Sequence, residues 1–105
     1  MKASLRESLD QMIDRYEEVT HLLSDPDVIN DNAKFRDLSV EHSELTDITH
    51  LWQRYRQTEA DLTTAHEMLD DPDMKQMAQE EVESGQAQLS SVEEKLHVIA
   101  QRPQR

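Results

Sequence analysis

The apolar residues of this chain fall at alternating spacings of four and three. In the first segment they run Leu5, Leu9, Met12, Tyr16, Val19 and Leu23, with Ile13 and Leu22 widening the stripe. That spacing places all of them along one face of a helix, with charged residues around the rest. A strand would alternate every second residue, and no such alternation occurs. Ser4 followed three residues later by Glu7 fits a capping box, so the first helix is expected over 4–24. Asp25-Pro26-Asp27 stops it. Proline pushes its predecessor out of the helical region and is itself suited to the first position of a new short helical turn, with Asp25 as cap.

A second helix is expected over 33–69. Its seam runs Phe35, Leu38, His42, Leu45, Ile48 or Thr49, Trp52, Tyr55, Leu62 and Leu69, and it thins from Arg56 to Ala60. Neither glycine nor proline interrupts it. At 1.5 Å per residue it would be roughly 55 Å long. Asp70-Asp71-Pro72-Asp73 repeats the stop-start chemistry. A third helix is expected over 72–101, opened by Pro72 with Asp71 as cap and closed by Pro103. Its seam is Ala78, Val82, Gly85, Leu89, Val92, Leu96 and Ile99. Gly85 on the seam reads first as a close approach of two helices and second as a hinge.

These seams predict an all-α fold: an elongated antiparallel three-helix bundle or coiled-coil hairpin. The first helix, roughly 30 Å long, can cover only the near half of the second. The far half and its return in the third helix then form a two-helix arm with its turn at Leu69–Met74.

Composition narrows what such a fold can do. Leu, Ile, Val and Phe together number 22 of 105 residues, near the boundary between folded and disordered chains, so the regular spacing is what argues for order. Eleven Lys and Arg face 23 Asp and Glu, a formal charge of −12, which repels phosphate backbones and argues against direct nucleic-acid binding. There is no cysteine, and the single glycine excludes a phosphate-cradling loop. No stretch resembles a membrane span or signal peptide, so a cytoplasmic location is expected.

Candidate chemistry is sparse. No two of His21, His42, His50, His66 and His97 have the i, i+4 spacing of a helical zinc site, and His42 reads as a satisfied seam histidine. Trp52 and Tyr55 share the buried stripe, while Arg54 and Arg56 point elsewhere, so core packing outweighs base stacking. Glu80-Glu81-Val82-Glu83 reads as a solvated face. No catalytic, metal or cofactor site emerges, and an enzyme acting alone is not expected. Around the expected turn gather Leu69, Met74 and Met77, with Met68. Methionine adapts to binding surfaces, so these residues form either a packed hairpin end or a patch for a partner protein.

The MKASL start, the segment YEEVTHLLSDPDVINDNAKFRDLSVEHSEL and the segment MLDDPDMKQMAQEEV resemble the amino-terminal domain of bacterial class-I peptide chain release factors. With the helices between them they cover essentially the whole chain, and the DDPDM turn resembles the subtype that reads UAA and UAG. The resemblance implies a helical, ribosome-docking module of translation termination. Its partner would be the ribosome, through the protein component of the stalk base, and the chain would be a monomer. The family's Gly-Gly-Gln loop, which promotes peptidyl-tRNA hydrolysis, and its Pro-x-Thr codon-reading tripeptide are both missing. The resemblance therefore implies an isolated first domain or a truncated product. A free-standing acidic coiled-coil adaptor, or a truncated competitor of the complete factor, is the alternative expectation.

Overall fold

The computed structural model describes residues 1–100, the side chain of Ala100 excepted. They form four helices and, among the described residues, no strand: α1 (Ala3–Leu22), α2 (Pro26–Ile29), α3 (Asn32–Met68) and α4 (Lys75–Ala100). The all-α fold follows the 4-3 spacing. Pro103, expected to close the third helix, and the expected boundary at 101 lie outside the described residues.

The helix ends differ in places from expectation, each for a local reason. α1 starts at Ala3, with Lys2 as an N-cap that makes no side-chain bond. The Arg6 amide donates to the Lys2 carbonyl at 3.1 Å, so Ser4 is already inside the helix and the Ser4–Glu7 capping box does not form. At the first Asp-Pro-Asp, Asp25 is extended and its Oδ1 accepts from the Asp27 amide at 2.9 Å, with Pro26 opening α2 as expected. Asp31 then starts α3: its Oδ1 accepts from the Lys34 amide at 3.1 Å, and its carbonyl from the Phe35 amide at 2.9 Å.

The second Asp-Pro-Asp begins the same way, with Asp71 Oδ1 accepting from the Asp73 amide at 2.9 Å. Here Pro72 opens a turn, not a helix. The Met74 amide reaches back three residues to the Asp71 carbonyl at 3.0 Å, and the first helical bond runs from the Ala78 amide to the Met74 carbonyl at 2.8 Å. The third long helix therefore begins at Lys75 instead of Pro72.

The chain divides into two compact units, Met1–His50 and Leu51 onward, with the boundary inside α3. In the first unit Leu9, Val19, Val28, Ile48 and Thr49 are buried. Phe35, placed on the seam from its spacing, is 40% exposed, because the first turns of α3 lie at the edge of this core. In the second unit Trp52, Tyr55, Thr58, Leu62 and Ala65 from α3 are buried, as are Ala78, Val92 and Leu96 from α4. α4 returns antiparallel along the second half of α3.

The thin stretch of the α3 seam is filled by Thr58. Its hydroxyl donates to the Arg54 carbonyl at 2.8 Å, which satisfies the polar atom within the helix and leaves the methyl for packing. At Gly85 an added Cβ would sit 2.8 Å from Leu62 Cδ2 and 3.0 Å from its Cγ. Glycine on the seam thus marks a close approach of α4 to α3.

Candidate docking site at the hairpin turn

The turn joining α3 to α4 is short and acidic, and Asp70, Asp71 and Asp73 are all exposed. The three residues expected to form a patch here are not equivalent. Leu69 and Met74 are half-buried, as is Met68, whereas Met77 is 47% exposed one turn into α4. Met77 is therefore the most accessible apolar group of the three, while Leu69 and Met74, within the turn itself, are partly covered.

Met77 also borders a groove of about 400 Å³ between the two helices of the second unit. Leu62 and Gly85 line it, and Asp61, Glu80 and Glu81 stand around it. Gly85 lets Leu62 approach the α4 backbone at the inner side of this groove. No lysine, arginine or histidine lines the groove. The Asp61 carboxylate accepts from Gln57 Nε2 at 2.9 Å. Glu80 and Glu81 have no ion-pair partner among the described residues. The Glu80-Glu81-Val82-Glu83 run is expected from its composition to be a solvated face. It is solvated, but it also edges a concave surface. The signal in the sequence was Gly85; its opposite number, Leu62, depends on the register of α4 against α3.

The other candidate groups are absorbed by the fold. Trp52 is 1% exposed, and its ring stacks on Tyr55 with centroids 5.4 Å apart, so it offers no face to a nucleic-acid base. His42 stacks on Tyr16 at 4.6 Å, and its Nε2 lies 3.0 Å from Thr20 Oγ1. The Thr20 hydroxyl hydrogen is committed to the Tyr16 carbonyl, so the contact requires Nε2–H to donate. Beside it, Arg15 grips Glu41 with two bonds, Nε to Oε2 at 2.7 Å and Nη2 to Oε1 at 2.6 Å, and also reaches Glu18 at 2.8 Å. The hydrogen bond from Arg15 holds the Glu41 carboxyl below its ordinary value of 4.5, and the same bond raises the Arg15 guanidinium. Among the described residues no group of three or more His, Asp or Glu side chains could hold a metal ion. No helix of the described residues is long and apolar enough to cross a membrane.

The model of the PCRF domain family matches residues 12–104, all but the first eleven residues and the last. No solved structure matches the chain. The chain accordingly belongs to the PCRF domain family and is a release-factor-type module of translation termination, corresponding to the amino-terminal domain of peptide chain release factors.

Proposed function

We propose that this chain is the ribosome-docking and positioning module of a termination factor of the release factor 1 type. The complete factor would recognise UAA and UAG and promote peptidyl-tRNA hydrolysis. The observation that carries this reading is the family match across residues 12–104, and the DDPDM turn at residues 70–74 favours the subtype. The partner is the protein component of the stalk base. A charge of −12 makes contact with protein easier to sustain than contact with RNA. The contact lies at the hairpin turn and is made by Leu69, Met74 and Met77. The module acts in the cytoplasm as a monomer and is not itself a hydrolase; among the described residues none is arranged for nucleophilic or acid–base work.

Two measurements test this. Met74→Asp with Met77→Asp should weaken binding of the chain to ribosomes at least tenfold while the helical circular dichroism signal is retained. Unchanged binding with an intact fold would remove the turn from the interface. In a termination assay the chain alone should release no peptide, and release above background from a clean preparation would overturn the docking role.

A further inference from the structure

The groove beside Gly85 combines features that the turn alone lacks. Its apolar lining is Leu62, Gly85 and the half-exposed Met77, and Thr58, Ser84 and Gln88 add uncharged polar groups. Its rim carries three carboxylates, from Asp61 on α3 and from Glu80 and Glu81 on α4, and no cation. Glu80 and Glu81 are not paired within the described residues, so their charge is available to an incoming group.

We propose that this groove receives one arginine or lysine side chain of the protein partner. The aliphatic stem would lie over Leu62 and Met77, and the cationic head would sit among Asp61, Glu80 and Glu81. Long basic side chains are built for such a site, because the stem is apolar and only the tip is charged. A volume of about 400 Å³ is ample for one such side chain. A bare metal ion fits less well, since these carboxylates form no metal-binding group. A phosphate backbone is repelled outright. This inference rests on the docking role proposed above and specifies the chemistry of the partner at that same site.

The test uses the intact chain and purified ribosomes, with binding followed by cosedimentation across a salt series. The first variant carries Asp61→Asn, Glu80→Gln and Glu81→Gln. A control carries Asp14→Asn, Glu17→Gln and Asp37→Asn, which removes the same charge from exposed positions in the first unit. General electrostatics makes both variants bind an RNA-rich particle more tightly, because each is less negative. The groove predicts the opposite for the first variant alone: affinity about tenfold weaker and a flatter salt dependence. Ser84→Trp, which fills the groove from an exposed position on its edge, should weaken binding similarly with all charges intact. If the groove variant and Ser84→Trp both bind as tightly as the wild type, or more tightly, the groove assignment is overturned while docking stands. If the wild type itself does not bind ribosomes, the docking reading falls, and this assignment with it.

Discussion

The first unit and the second solve the same problem, holding one helix against another, with different side chains. Between α1 and α3 the first unit uses long polar groups: Arg15 clamps Glu41, and Tyr16 and Thr20 hold the two sides of His42. At the Gly85 contact the second unit uses the absence of a side chain, with Leu62 packed where a Cβ would stand. Buried threonines on α3 repeat the contrast. Thr58 in the second unit donates its hydroxyl to the Arg54 carbonyl, whereas Thr49 in the first is 1% exposed and its hydroxyl has no partner among the described residues. A polar clamp is directional but sits partly in water, where its energy is small. Close packing is insensitive to salt and pH but leaves no room for error.

The largest effect is expected where packing is tightest. Gly85→Leu should destabilise the chain by about 1–3 kcal/mol through overpacking against Leu62. Gly85→Ala should come out near neutral, because about 1 kcal/mol of helix propensity offsets displacement of the end of a flexible leucine. A thermal melt of both variants decides this. Equal stability of Gly85→Leu and wild type would mean that the close approach does no structural work.

An intermediate effect, opposite in sign, is expected at Thr49. Thr49→Val keeps the shape and removes a buried hydroxyl that has no partner, so it should stabilise by about 1 kcal/mol. The same change at Thr58 loses a made bond and should not. Denaturant titration of the pair would expose any error in the contrast between them.

The smallest effect belongs to the clamp. Arg15 and Glu41 keep 40% and 35% of their side chains exposed, so Arg15→Ala should cost only about 0.5–1 kcal/mol after solvent screening. Its pH dependence is more diagnostic than its size. Glu41 is held below 4.5 in the folded chain, so its contribution is complete above that value and is lost as pH falls through the lowered one. The gap between wild type and Arg15→Ala should therefore be full at neutral pH and close in acid. A gap that stayed constant to strongly acidic pH would assign it to lost packing of the arginine stem.

Much of this was legible in the sequence, because helix faces are written in one dimension. The 4-3 spacing located α1, α3 and α4, and the two Asp-Pro-Asp segments located the breaks between them. What it missed needed neighbours. Where the seam thins between Arg56 and Ala60, Thr58 fills it only because its hydroxyl bonds within the helix. Phe35 kept the spacing of the seam but lies where the core has run out. Pro72 had the right chemistry to open a helix, but the four-residue bond that Ile29 makes to the Asp25 carbonyl after Pro26 has no counterpart to the Asp71 carbonyl among the described residues, and the helical ladder begins with Ala78 bonding to Met74. The candidate site divides in the same way. The methionines could be placed near the turn from the sequence, but the groove could not. It needs Asp61 and Leu62 set opposite Glu80, Glu81 and Gly85, and that register belongs to two helices together.

The burial of Trp52 gives the molecule a built-in optical reporter. It is the only tryptophan in the chain, and it sits in the second unit, so its emission should be blue-shifted in the folded state and move to the red only when that core opens. The first unit is silent in that channel. Its own chromophore is Tyr16, stacked on an imidazole. Selective excitation at the red edge therefore follows one unit alone, and tyrosine absorbance adds the other. Without any added label, two melting curves from one sample can show whether the polar clamp and the glycine contact yield at the same temperature.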